Sequence, residues 1–245
     1  MTDQCYHCGE AAKTREHAPP KCLFPADADK DYRVNLITVP SCDLHNSVKS
    51  GDDQYMMIYF AAGAHGLDYD KLRPHIDKTI RTIIRTPHIV SEYTNQFMIG
   101  KTDDTSPQNK VDWHAPENQI ELLSNHKRIC SFLASVARGV LFFDKEVQWD
   151  GAVLVIPHFL GVLTTDTGEN ITEMNSRFIT PEQSSGSNKE IFYYTTNTPA
   201  QSDIAHVVDM CFYQQFKVTC FFVPKTTRER FESLLGHIEF IGWTE

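Results

Sequence analysis

Cys5-Tyr6-His7-Cys8, Glu16-His17-Ala18-Pro19-Pro20, Asn35-Leu36-Ile37-Thr38-Val39 and Cys42-Asp43-Leu44-His45-Asn46 follow one another within the first fifty residues of the chain. Two pairs of metal-ligand residues bracket the stretch: Cys5 with Cys8, and Cys42 with His45, each pair separated by two residues. Three thiolates and an imidazole are the donors that a closed tetrahedral zinc site takes. A knuckle turn lets both members of a pair reach one ion, and the ion replaces the core that so short a segment cannot build. Gly9 and Asn46, directly after the two pairs, suit metal knuckles better than the other reading of Cys5 and Cys8, a redox pair. His7 and Cys22 are the competing ligands. With the β-prone run Asn35–Val39, the stretch predicts a small metal-pinned ββα unit.

The rest of the chain bounds what that unit can do. The full chain has 245 residues, 41% hydrophobic and 22% charged, which is globular composition with room for one full-sized core beside the small unit. No apolar run reaches the roughly 20 residues that cross a bilayer, and the first residues lack the basic-then-apolar order of a signal peptide, so the expectation is a cytoplasmic protein with no membrane partner. Seven cysteines are an odd number, and Cys130, Cys211 and Cys220 lie in apolar segments as small core residues. The formal net charge is −9, from 23 Lys and Arg against 32 Asp and Glu. Broad binding along nucleic acid depends on a basic face that releases counterions, so contact with a phosphate backbone has to be local.

From Gly51 the pattern changes to a helix opened by Asp52 and Asp53 and continued by the apolar run Tyr55–Phe60. Leu72, Ile76, Ile80, Ile83 and Ile84 recur at helical spacing, with Lys78, Arg81 and Arg85 three and four residues apart on another face. Residues 101–117 read as a long polar loop. A stronger helix begins near Ser124 and carries Ile129, Phe132, Leu133, Val136, Ala137 and Val140 on one side. Four β-branched and aromatic runs follow, Ala152–Leu160, Glu190–Thr196, Ile204–Tyr213 and Phe216–Val223, the last two joined as a hairpin around Gln214-Gln215. Ser184–Ser187 reads as a flexible connection. The fold class is therefore α+β: residues 1–53 a zinc unit, residues 54–245 a helical then antiparallel-β region. His158, His206 and Asp209, the candidate catalytic groups of that region, have no partner motif and read as core or surface residues.

The order of motifs resembles the HNH endonuclease family in its zinc-stapled treble-clef form with a ββα-metal active site. The likeness covers about residues 4–53, a fifth of the chain. It implies a metal-dependent endonuclease acting on DNA. By position, His17 matches the family's general base, Glu16 and Asn46 match the ligands of a catalytic Mg2+ or Mn2+, and Asn35 matches the asparagine that orients the histidine. Cys5, Cys8, Cys42 and His45 match the structural Zn2+ site, and Lys49 falls where a basic residue stands near the phosphate. Lys78, Arg81 and Arg85 are further candidates for phosphate contact.

Three departures from the family pattern matter: Glu16 in place of the commoner Asp, His45 in place of a fourth Cys, and the acidic segment before Asn35. The resemblance leaves open DNA or RNA and single or double strand. A homodimer, which would turn two single-strand cuts into a double-strand break, and a regulatory protein are the partner expectations. A knuckle module that binds nucleic acid or protein with an idle nuclease site is the alternative function.

Overall fold

The computed structural model describes residues 4–26, 31–47, 50–63, 78–79, 81–82, 85, 125–159, 180–200, 203–227, 229 and 242–244. Helices and antiparallel sheets make it an α+β protein. Strand β1 (Thr14–His17) pairs antiparallel with β2 (Thr38–Ser41), and the short helix α1 (Asp43–Ser47) follows at once. Helix α2 (Ser50–Gly63) runs through residue 53, so the expected domain boundary falls inside it. Helix α3 (His126–Lys145) leads into β3 (Ala152–Pro157), β4 (Phe192–Asn197), β5 (His206–Phe212), β6 (Phe216–Val223) and β7 (Gly242–Thr244). These five form one antiparallel sheet in the order β4-β5-β6-β3-β7.

Helix α3 is built as its sequence dictates. The Asn125 side chain caps its first turn by accepting from the Arg128 amide at 3.1 Å, and Glu146 ends it in the left-handed region at φ 55°. Its apolar stripe, including Ile129, Leu133, Val136 and Val140, is buried. Arg128 also ties the helix to α2, reaching Asp52 at 2.5 Å and lying over the Tyr55 ring at 4.6 Å. Buried apolar residues from the front unit, α2, α3 and the sheet form one continuous cluster, from Cys5 and Tyr6 to Phe222. The Tyr213 hydroxyl donates to the Leu23 carbonyl, and Tyr32 to Glu190 at 2.9 Å, so the sheet end grips the front unit directly.

Several expectations shift in detail. Asn35–Ile37 are not strand: Asn35 sits in a turn at φ 53°, a region that Asn tolerates better than most residues, and pairing starts at Thr38. The β5–β6 turn centres on Tyr213 and Gln214, at φ 49° and 58°, without any glycine. Ser185 is bonded to Tyr194 through both backbone groups, at 2.9 and 3.1 Å, so the serine-rich connection is part of the sheet margin. Lys78, Thr79, Arg81, Thr82 and Arg85 are helical as expected; the remainder of that helix and the loop 101–117 lie outside the described residues.

Candidate functional site

The knuckle around Cys5 and Cys8 turns at Gly9, whose φ of 77° lies in the left-handed region that favours glycine. Cys42 and His45 stand at the start of α1. Ligand atoms of Cys5, Cys8, Cys42 and His45 all lie within 4.8 Å of one another, a group that could hold a metal ion. Cys8 Sγ is 3.8 Å from Cys42 Sγ, and His45 Nδ1 is 3.1 Å from Cys42 Sγ and 3.8 Å from Cys5 Sγ. A tetrahedron of thiolates about 2.3 Å from a zinc ion has edges of about 3.8 Å, so the donor set and its spacing fit that ion.

The thiols of the group differ in their electrostatics. Burial raises the Cys5 thiol, but the amides of Cys8, Cys42 and His7 aimed at its sulfur outweigh burial and leave it below its usual value. Partial burial, with the neighbouring Cys5 and Cys42 sulfurs, pushes Cys8 up to about 11, a crowding that a cation would relieve. The competing ligands are excluded by position. Cys22 points elsewhere, to the Asp53 carbonyl at 3.6 Å, with burial and Asp53 pushing its thiol up to about 12. His7 stacks on the His45 ring at 4.1 Å instead of joining the group.

Beside this cluster the hairpin sorts its side chains by the two-residue period of a strand. Thr14 and Glu16 face inward with Val39 and Ser41, whereas Arg15 and His17 share the other face. Glu16 is 9% exposed; its carboxylate accepts from the Tyr6 hydroxyl at 2.5 Å and from Ser41 Oγ at 3.0 Å. Asn46 donates its amide to Thr14 Oγ1 at 3.1 Å, while Thr14 donates to the Ser41 carbonyl at 3.0 Å. That chain of donors leaves Asn46 Oδ1 as the remaining side-chain acceptor of the amide. Thr14 and Glu16 share a strand face, so Glu16 and the Asn46 bonded to Thr14 lie on the same side of the hairpin.

At the strand end, where Pro19-Pro20 turn the chain and the Ala18–Pro19 peptide is cis, His17 Nδ1 lies 3.3 Å from Thr38 Oγ1. Thr38 gives its own hydroxyl proton to the Leu36 carbonyl at 3.2 Å. With that proton placed on Leu36, the Thr38 oxygen is an acceptor for an Nδ1–H, an arrangement that leaves Nε2 open. A cavity of about 190 Å³ opens here, lined by Glu16, His17, Asn46 and Asp53 together with Arg15 and Lys21 and closed from behind by α3.

The structure thus brings Glu16, His17 and Asn46 to one cavity. Asn35, expected beside His17, lines a different cavity; the residue beside the His17 ring is Thr38, because pairing from residue 38 onward sets Thr38 opposite His17. Lys78 is half-buried, its ammonium lowered by burial and by Arg33, and Arg81 and Arg85 are exposed; none of the three lines the His17 cavity. Lys49 lies outside the described residues. Arg15, Lys21, Thr38 and Asp53 are the residues that sequence reasoning missed. Arg15 was legible as a residue two before His17 on a strand; Asp53 was read only as an acidic helix start. Comparisons with protein-family models, with curated proteins and with solved structures found no match. Among the described residues no helix is long and apolar enough to cross a membrane.

Proposed function

We propose that the chain is an HNH-type endonuclease that hydrolyses phosphodiester bonds of DNA, its treble-clef unit stapled by Zn2+ on Cys5, Cys8, Cys42 and His45. The observation that carries this reading is the meeting of His17, Glu16 and Asn46 at one cavity, with Arg15 and Lys21 on its rim. His17 is the general base: Thr38 holds Nδ1–H, so Nε2 takes the proton of the attacking water. Arg15, steadied by its 3.1 Å bond to the Thr38 carbonyl, and Lys21 receive phosphate oxygens.

Glu16 and Asn46 would hold the divalent cation, with Asp53 as a third oxygen donor on the wall. Carboxylate and amide oxygens suit Mg2+ or Mn2+, and a carboxylate offers about four acceptor sites, so Glu16 keeps capacity beyond its bonds to Tyr6 and Ser41. When bound, the cation neutralises charge on the phosphate and on the departing 3′ oxygen. Acidity elsewhere in the chain confines the phosphate contact to this rim. The test is loss of divalent-dependent plasmid cleavage in His17→Ala, with fold and zinc content unchanged.

A further inference from the structure

Of the two cavities, Glu16 lines the first, beside His17, and Asn35 the second. The Glu16 carboxylate is gripped by two hydroxyls that line neither, one on each oxygen. Tyr6 Oη donates to Oε1 at 2.5 Å, and Ser41 Oγ donates to Oε2 at 3.0 Å. The shorter bond has the length of a charge-assisted contact between a hydroxyl and a carboxylate. Ser41 has a second acceptor, the Cys42 carbonyl, but at the longer distance of 3.3 Å and without a charge. Both donors are fully buried, where such bonds are stronger than in water.

Each donor is the chain neighbour of a candidate zinc ligand: Tyr6 follows Cys5, and Ser41 precedes Cys42. The knuckle carries Tyr6 over the hairpin, where its amide donates to the Pro40 carbonyl at 2.9 Å. Its ring meets Phe142 of α3 edge-on, with centroids 6.5 Å apart. Ser41 is set opposite Thr14 by the strand pairing, and its carbonyl accepts from the Lys13 amide at 3.1 Å. These ties fix where each hydroxyl stands. Glutamate has one more rotatable bond than the commoner aspartate, and ordering it costs entropy. A single hydroxyl leaves the carboxylate free to swing about that bond. One on each oxygen fixes its plane and uses only two of about four acceptor sites.

We propose that Tyr6 and Ser41 are positioning residues, which hold the Glu16 carboxylate in the orientation that binds a divalent cation in the first cavity. The proposal rests on the nuclease reading of that cavity. Neither hydroxyl touches the cation; both act through Glu16. A zinc ion on the Cys5, Cys8, Cys42 and His45 group would fix both donors at their chain neighbours, so the staple also sets the geometry of the cavity. Hydrogen-bond partners of a ligating carboxylate are typically worth about 10–100-fold in metal affinity. The two-point hold is what lets a glutamate serve where an aspartate is commoner.

The experiment titrates Mn2+ into the zinc-loaded full chain and reads free Mn2+ by electron paramagnetic resonance, with zinc per chain and circular dichroism as checks of fold. Wild type is compared with Glu16→Gln, Tyr6→Phe, Ser41→Ala and Tyr32→Phe. The last is a matched control: it removes a tyrosine hydroxyl from another carboxylate, Glu190 at 2.9 Å, and Tyr32 lines neither cavity. Wild type should bind Mn2+ at a site that Glu16→Gln abolishes. Tyr6→Phe and Ser41→Ala should each weaken that site by about tenfold or more, and Tyr32→Phe should not. In plasmid cleavage the same two variants should raise the Mn2+ concentration for half-maximal rate, with a smaller effect on the rate at saturating Mn2+. A mere loss of stability does not produce that split. Mn2+ binding that needs Glu16 yet is unchanged in Tyr6→Phe and Ser41→Ala overturns the positioning role and leaves the nuclease reading intact. Weakened binding in both variants supports the positioning role even where wild type cleaves nothing, an outcome that would sink the nuclease reading alone. No Mn2+ binding by wild type, or equal binding by Glu16→Gln, overturns both. Should Tyr6→Phe lose its fold, Ser41→Ala decides.

Discussion

Replacing Gly139 by Ala should damage the candidate site from behind. Helix α3 is in contact with the strand end that carries His17, and a Cβ at position 139 would stand 2.5 Å from the Ala18 Cβ. Ordinary carbon contacts are about 3.5–4.0 Å, so the two segments must separate by more than 1 Å. In isolation, Gly→Ala inside a helix gains about 1 kcal/mol, whereas overpacking a rigid contact costs about 1–3 kcal/mol. Neither atom is the far end of a flexible side chain, so the clash offsets or outweighs the helical gain and the net loss is up to about 2 kcal/mol. His17, one residue from Ala18, moves with the segment, and a misplacement near 1 Å at a reacting group lowers rate on the order of 10²-fold. The decisive arm is the double variant Gly139→Ala with Ala18→Gly, which removes the opposing Cβ. Urea unfolding should show the double variant more stable than Gly139→Ala alone, and plasmid cleavage should recover with it. Should Gly139→Ala be more stable than wild type, or Ala18→Gly bring no relief, the packing of α3 behind His17 is not as described.

Three further outcomes follow from the geometry. If the Cys5, Cys8, Cys42 and His45 group holds zinc as proposed, Cys42→Ser should lower the zinc measured per chain and destabilise the hairpin and α1, because the three remaining ligands no longer close the site. Tyr6→Phe takes away one of the two donors to the buried Glu16 carboxylate and should cost about 1.5–3 kcal/mol in chemical denaturation, the range for a hydrogen bond to a charged group; an unchanged midpoint would remove Tyr6 from that role. Burial, then Lys217, lowers His158 to about 4, so its neutral form is favoured in the fold. Its contribution is present above the unfolded value near 6.5 and is lost as pH falls toward 4. Between pH 7 and pH 5 this should remove about 1–2 kcal/mol after allowance for solvent screening, and His158→Gln should flatten the slope.

How much was legible depended on whether local spacing or pairing register decided the matter. The ligand group was readable because each pair is two residues apart in the chain. Only distance could exclude Cys22, which lies between the pairs but turns to Asp53. The opposite directions of Glu16 and His17 followed from the strand period. Thr38 as partner of His17 did not, since it requires knowing that β2 starts at 38 and that 17 faces 38. The partnership of Tyr6 with Glu16 carries no sequence signal, because it depends on the knuckle folding over the hairpin. The strong stripe of α3 was visible, but not that Gly139 is the point where the helix meets Ala18. Asn35 was assigned by motif position, and its left-handed turn sends it to the second cavity.

The central claim is that His17 activates water at a divalent-cation site in the first cavity. Supercoiled plasmid incubated with purified protein in Mg2+ or Mn2+ tests it directly, beside His17→Ala of matched fold and zinc content. Wild type should nick or linearise the plasmid, chelator should abolish this, and the rate should fall on the order of 10² to 10⁴ in the variant. Equal cleavage by the two proteins, or none by wild type across divalent metals, single-stranded and duplex DNA, would contradict it.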